Sequence, residues 1–361
     1  MPIGRKLIEL GYEVHLISAM NSIEASEIVA SSGIKFHSIR LSRSGLNIFS
    51  EAISFFEIFK LMNNIQPSLV HLVTIKPIIY GGVAARILRI DSLVVAVAGL
   101  GYLFMTTSKF FILLRLLVVL IFKNIFSKKK LKIIFQNSDD QLHLLKLTNL
   151  NPEKTTLIKG SGVNLDEFIS NIKPSKLPYI VTMASRLLRD KGVTEYVEAA
   201  KILSERGVSV EFRLVGDIDI GNPSSLSVHD LSVLKKLGIV KLYGHRNDIS
   251  ALYNESRIIV LPSYREGLPK ALIEAASCGR PVITTDVPGC RDAIVPGHTG
   301  LLVPPYDSMT LANAIENLIF DDELCDNMGE FARLFAEMEF SIKEVVNRHL
   351  SIYKSLLGES S

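Results

Sequence analysis

The chain has 361 residues, 48% of them hydrophobic, and a formal net charge of +3. That length favours two domains over one, and that apolar content excludes a disordered chain. Three scattered cysteines, Cys278, Cys290 and Cys325, form neither a metal motif nor a disulfide framework, which fits a reducing, cytoplasmic compartment.

In chain order, Leu7, Ile8 and Leu10 pattern as a helix ending at Gly11. The runs "EVHLIS" (13–18), "LVHLVT" (69–74), "LVVAVAG" (93–99) and "KIIFQN" (132–137) then read as buried parallel strands with helical patterns between them. Residues 92–138 contain seven basic residues and no acidic one. Within that span the apolar run from Phe110 to Phe122 has thirteen residues with Arg115 inside, short of the roughly 20 that a spanning helix needs. One reading of 109–132 is a helix lying on an anionic membrane surface, with Lys128, Lys129 and Lys130 at the headgroups. The other is a core helix with a solvated basic end; the lack of any acid favours the first. Basic residues interleaved with aliphatics, rather than with stacking aromatics, argue against nucleic acid as a partner.

The proline-containing segment "SNIKPSKLP" (170–178) reads as a linker. It divides an N-terminal domain (1–170) from a C-terminal domain (171–340). The tail helix (341–361) is expected to pack back on the first. Charge divides the same way: residues 1–170 hold nineteen Lys/Arg against twelve Asp/Glu, and the remainder twenty-one against twenty-five. After the linker the pattern restarts, with strands expected at 179–185, 210–216, 240–244, 257–263, 281–286 and 300–304. Helices are expected at 192–206, 230–237, 248–254, 269–278, 289–293, 308–318 and along the tail. The fold class is therefore α/β, with two doubly wound parallel sheets.

In such sheets ligands sit beyond the carboxyl ends of the strands. There "RLLRDKG" places Arg186 and Lys191, either two surface cations or a fork and a point charge for a diphosphate. Further on, "YREGLPKALIE" places Glu266 in a loop, Gly267 where a backbone can approach a ligand, and Pro269 at the first helical position. The free N–H groups of that helix suit an anion. Glu274 lies in the apolar run "ALIEAASC". A pair with Lys270, four residues before it, is worth a few tenths of a kcal/mol and does not justify burying a carboxylate. Ribose hydroxyls would.

The stretch "YREGLPKALIEAASCGRPVITTDVPGCRDAIVPGHTGLLVPP", with "RLLRDKG" before it, resembles the donor-site signature of family 4 glycosyltransferases of GT-B fold. "VHLVTIKPIIYGGVAARIL" and "FQNSDD" resemble the acceptor half of bacterial surface-polysaccharide members, so the likeness spans nearly the whole chain. The resemblance implies two Rossmann-like domains facing a cleft, residues 1–170 facing acceptor and membrane and residues 171–340 binding the nucleotide sugar. It implies a retaining hexosyltransferase that moves a hexose or N-acetylhexosamine from a nucleotide sugar, UDP-linked by preference, to a polyprenyl-diphosphate-linked acceptor. The setting would be O-antigen, capsule or related glycan assembly, peripheral on the inner face of the plasma membrane. Arg186 and Lys191 would bind the diphosphate and Glu266 the donor sugar. Gly267, Leu268, Pro269 and Lys270 would face sugar and phosphate, and Glu274 would hold the ribose. His245 and Arg246 would lie near the base, with Gly216 beside them. No metal and no cofactor is implied.

This sequence departs from the family's pattern in three places. Where many members carry a histidine after the strand at 93–98, it has "AGLGY", so Gly99, Gly101 and Tyr102 take that place. His71 is either an acceptor-site residue or a strand-end histidine held by hydrogen bonds. Asp217 and Asp219 in "GDIDIGNP" mimic a metal-binding Asp-x-Asp pair, though such acidic pairs are common in loops. The family's first strand and its loop do not precede the first helix, so a strand-coding run of roughly 15–30 residues is expected upstream. Without it, the 361-residue form is expected to be poorly stable or inactive. The competing readings are a transferase for a soluble acceptor, a nucleotide-sugar epimerase, and a non-catalytic nucleotide-sugar-binding protein.

Overall fold

The computed structural model describes residues 2–19, 29, 31–41, 48–100, 104, 108–170 and 178–359. Gly101, Tyr102 and most of the linker (171–177) lie outside the described residues. Cα proximity divides the chain into two compact units, one of residues 1–158 with 343–361 and one of residues 159–342.

The first unit runs α1 (Pro2–Glu9), β1 (His15–Ser18), β2 (Lys35–Ser38), α2 (Ile48–Ile65), β3 (Leu69–Val73), α3 (Ile75–Ile87), β4 (Ser92–Val97), α4 (Lys109–Phe126), β5 (Leu131–Phe135), α5 (Ser138–Thr148) and β6 (Thr155–Leu157). Its strands form two separate parallel sheets, β1–β2 and β3–β4–β5–β6. Alternation along β4 shows why they are buried on both sides. Leu93, Val95 and Val97 join the core under the helices of residues 58–126, whereas Val94 packs against Val345, Leu350 and Tyr353 of the tail.

The second unit runs β7 (Tyr179–Ala184), α6 (Val193–Glu205), β8 (Val210–Val215), α7 (Val228–Leu237), β9 (Val240–Gly244), α8 (Ile249–Glu255), β10 (Ile258–Leu261), α9 (Lys270–Ser277), β11 (Val282–Thr285), β12 (Gly300–Val303), α10 (Ser308–Phe320) and α11 (Asp322–Glu339). Its six strands are all parallel, in the order β12–β11–β10–β7–β8–β9. The tail helix α12 (Ile342–Leu357) groups with the first unit.

Four local expectations are corrected. The segment 289–293 forms only a 3-10 turn, Arg291–Ala293. Strands β2 and β6 carry little apolar signal, being half-exposed and short, so periodicity passes over them. Helix α11 was not expected because its buried stripe includes Gly329, Ala332 and Ala336, small residues with weak hydrophobic signal. Their smallness brings the helix close, since a Cβ on Gly329 would stand 2.5 Å from the Gly279 carbonyl oxygen.

Helix α4 buries Val118, Val119, Phe122, Ile125 and Phe126 but leaves Leu113, Leu116, Leu117 and Leu120 54–70% exposed. Those four recur at helical spacing and form one apolar stripe facing solvent. No helix among the described residues is long and apolar enough to cross a membrane. Lys128 is not a free surface cation: its Nζ donates to the Ile90 carbonyl, and burial lowers its pKa.

Candidate active site

The carboxyl ends of β7, β8, β9 and β10 open on one cavity of about 370 Å³. Arg186, Lys191, Gly216, His245, Arg246, Glu266, Pro269, Lys270 and Glu274 all line it, brought together from positions spread over ninety residues. The β–loop–α repeat does this. Each strand ends at the same edge of the sheet, so each following loop meets the same space.

The side chains are already paired there. Lys191 Nζ donates to Glu266 Oε1 at 2.5 Å, and Ser263 Oγ donates to the same oxygen at 2.8 Å. Arg186 Nη1 donates to Asp219 Oδ2 at 2.6 Å, which makes that aspartate a guanidinium partner. Among the described residues no cluster of three or more His, Cys, Asp or Glu could hold a metal. Arg246 is held in the loop by Asp248, while His245 beside it is exposed.

Glu274 is 7% exposed. Burial raises its pKa, opposed by the Lys270 ammonium at 2.8 Å. The helical pair therefore exists, and Lys270 is the charged partner of this buried carboxylate among the described residues. Pro269 stands one position earlier than expected, at the N-cap of α9, with no side-chain cap to use the N–H groups of the first turn. Gly267 and Leu268 do not line the cavity; Leu268 is buried in the core beneath it.

Two glycines are dictated by close approach. Gly216 has φ +133°, and a Cβ there would stand 1.9 Å from the Ser185 carbonyl oxygen. Gly289 has φ +80° and lies against the Glu266 carbonyl at 2.4 Å from the same construction. It lets the loop carrying Glu266 settle against the residues after β11, and Glu266 N–H donates to the Pro288 carbonyl.

Sequence reasoning missed Ser263, which orients Glu266, and Tyr253. The Tyr253 ring is 1% exposed and lines the cavity, and its hydroxyl is buried with no hydrogen-bond partner among the described residues. Nothing in "SALYNES" marks that tyrosine apart from a core one.

His71 and Gly99 lie in the first unit. Gly99 has φ +116° just beyond β4. The strand-end placement of His71 is corrected: it is the third of five residues of β3, with Nδ1 2.6 Å from the Tyr353 hydroxyl and its ring against His349. Burial, then His349, pushes its pKa down to about 3, and burial lowers that of His349 as well. Below about pH 6.5 the unfolded chain binds protons that the folded chain refuses. Stability is therefore expected to drop as pH falls, by up to about 1.4 kcal/mol per unit for His71, with His349 acting in the same direction. His71→Gln keeps a partner for Tyr353 but cannot be protonated. Between pH 6.5 and 5 it should lose about 2 kcal/mol less than the unaltered chain in urea unfolding. Equal pH dependence of the two would refute the burial argument.

Two family models match the chain: Glycosyl transferase 4-like over residues 2–137 and Glycosyl transferases group 1 over residues 164–335. The chain is 29% identical over 370 residues to the N,N'-diacetylbacillosaminyl-diphospho-undecaprenol alpha-1,3-N-acetylgalactosaminyltransferase of Campylobacter jejuni, covering 99% of this chain and 95% of that protein. It is 27% identical over 324 residues to the UDP-Gal:alpha-D-GlcNAc-diphosphoundecaprenol alpha-1,3-galactosyltransferase of Escherichia coli, covering 85% and 80%. Among solved structures, Anabaena Alr3699/HepE in complex with UDP-glucose superposes with a TM-score of 0.78 over 98% of this chain and 94% of that one, at 19% identity. That likeness carries the fold.

Proposed function

Given that the chain belongs to the glycosyltransferases of GT-B fold, we propose that it moves a hexose or N-acetylhexosamine from a nucleotide sugar to a polyprenyl-diphosphate-linked sugar in bacterial polysaccharide assembly. The observation that carries this is the cavity at the β7–β10 strand ends, where three kinds of group converge. Arg186 and Lys191 supply positive charge for a diphosphate, Glu266 stands beside Lys191, and Glu274 lies buried beside Lys270. The relatives named for undecaprenol-linked acceptors support the lipid acceptor, and those named with UDP support a uridine donor.

In this reading Arg186, Lys191 and the α9 N-terminus stabilise the departing diphosphate, doing the electrostatic work a metal does elsewhere. Glu274 accepts from the ribose hydroxyls. Glu266 orients the donor sugar, and the leaving phosphate takes the proton of the attacking hydroxyl on the same face, so that the anomeric configuration is retained. The test is transfer of labelled sugar from a panel of nucleotide sugars to polyprenyl-diphosphate sugars in vesicles. Donor hydrolysis or epimerisation with no lipid-linked product from any pair would refute the reading.

The exposed leucines of α4, together with Lys109, Lys123, Lys129 and Lys130, support docking of that helix on an anionic membrane. Since Lys128 is tied to Ile90, the informative variant reverses Lys123, Lys129 and Lys130 to Glu. Each lysine is worth about 1 kcal/mol at such a surface. Sedimentation with phosphatidylglycerol vesicles should fall sharply in the variant; equal pelleting of the two proteins would favour the core-helix reading.

A further inference from the structure

Lys191 and Glu266 reach the cavity from two loops far apart in the chain, and those loops are bonded to each other repeatedly. Tyr264 N–H donates to the Asp190 carbonyl at 2.9 Å, and Ser263 Oγ donates to the same oxygen at 3.0 Å. Lys191 Nζ meets Glu266 Oε1. The Tyr264 hydroxyl donates to both carboxylate oxygens of Glu195, at 2.8 Å each. The approach is close: Gly192 has φ +76°, and a Cβ there would stand 2.1 Å from the Pro262 carbonyl oxygen. Glu195 and Tyr264 do not line the cavity. Yet one stands four residues after Lys191 and the other two residues before Glu266.

We propose that Tyr264 is a positioning residue for sugar transfer, which through Glu195 holds the loops bearing Lys191 and Glu266 at one spacing before a substrate enters. The proposal rests on the reading of the cavity given above. Glu195 is 9% exposed, and no cation pairs with it among the described residues. One phenol is a weak offset for burying a carboxylate; a leucine and a phenylalanine in the two places would pack with no such cost. The dipole of α6, in whose first turn Glu195 stands, offsets only a part. What the pair adds is geometry. Burial, then the bond to Glu195, raises the Tyr264 pKa, so at neutral pH the phenol keeps its proton and donates. Its ring packs on Tyr306 with 4.0 Å between centroids, which fixes the direction of the hydroxyl. The two loops are thereby tied by a bond that does not depend on the Lys191–Glu266 pair, so their spacing survives when Lys191 turns to a diphosphate. Charges preorganised in this way need no rearrangement as the diphosphate departs, and a displacement of about 1 Å can cost roughly a hundredfold in rate.

Tyr264→Phe tests this, since it keeps the ring against Tyr306 and removes the hydroxyl. Its kcat should fall about tenfold, with KM for the donor changed less than about twofold. In a Lys191→Ala background the same substitution should lower kcat no further, because the hydroxyl acts through the lysine. Glu195→Gln still offers the phenol an acceptor and should stay within about threefold of the unaltered chain, whereas Glu195→Leu should behave like Tyr264→Phe. Amide hydrogen exchange reads the same tie without any sugar: the Tyr264 and Glu266 amides should exchange roughly tenfold faster once the hydroxyl is gone. If Tyr264→Phe does not fold, the two Glu195 variants decide. The proposal is overturned by a Tyr264→Phe protein as active as the unaltered chain. It is overturned equally by a loss that persists in full in the Lys191→Ala background, which a merely structural role would give, or by unchanged exchange at both amides. An unaltered chain that transfers no sugar would sink the function proposed above and this role with it, whereas the other outcomes strike this role alone.

Discussion

Glu274→Gln is expected to weaken nucleotide-sugar binding by about ten- to hundredfold, the cost of a charge-assisted hydrogen bond of about 1.5–3 kcal/mol. The substitution changes almost no volume, so packing of α9 is kept. Its effect on the empty protein should run the other way. Burial opposes the charge on Glu274, and the one ion pair that offsets this reaches out to a Lys270 whose side chain is 65% exposed. Removing the charge should leave Tm unchanged or raise it, while binding is lost. A carboxylate kept for stability would give the opposite pair of results. Glu266→Gln should instead lower turnover by a similar factor with a smaller change in KM, because its role is to orient the reacting sugar. Wild-type kinetics in both variants would sink the assignment of this cavity.

Arg186→Ala and Lys191→Ala are each expected to lower kcat by about a hundred- to thousandfold, the loss seen when one preorganised group facing developing charge is removed. Chelation with EDTA should leave transfer unchanged. The two variants are not equivalent. Arg186 is largely exposed, and its partner Asp219 keeps Asn222 as a donor, so its loss reports mainly on the ligand. Lys191 is 15% exposed and holds Glu266, itself 12% exposed, so its loss also leaves a half-buried carboxylate with the Ser263 hydroxyl but without its cation. The double variant Lys191→Ala, Glu266→Gln separates these: it should recover Tm but not activity. Abolition of transfer by EDTA and rescue by manganese would return attention to Asp217 and Asp219.

The candidate site was legible because its residues follow strands. An apolar run, a polar loop and an apolar helix recur from Tyr179 to Val303, and the chemistry-bearing residues sit just after the runs. Glu274 stood out because a carboxylate amid "ALIEAASC" has to be explained. What was not legible was pairing. Asp219 looked like half of a metal motif and proved to hold Arg186. Lys128 looked like a membrane cation and proved to be bonded to a backbone carbonyl thirty-eight residues away. Ser263 and Tyr253 carried no signal, since a serine after a strand and a tyrosine on a buried helix face are ordinary.

By itself the sequence determined the two parallel-sheet units, the family and the loops that line the candidate site. These depend on local periodicity and on spacing along the chain, which a string of residues contains. Only the tertiary structure decided which cation meets which carboxylate and that His71 lies against the tail helix. The reason is physical. Hydrogen bonds, ion pairs and burial join residues far apart in the chain, as His71 and Tyr353 are, 282 positions apart, and their geometry exists only once the elements between them have packed.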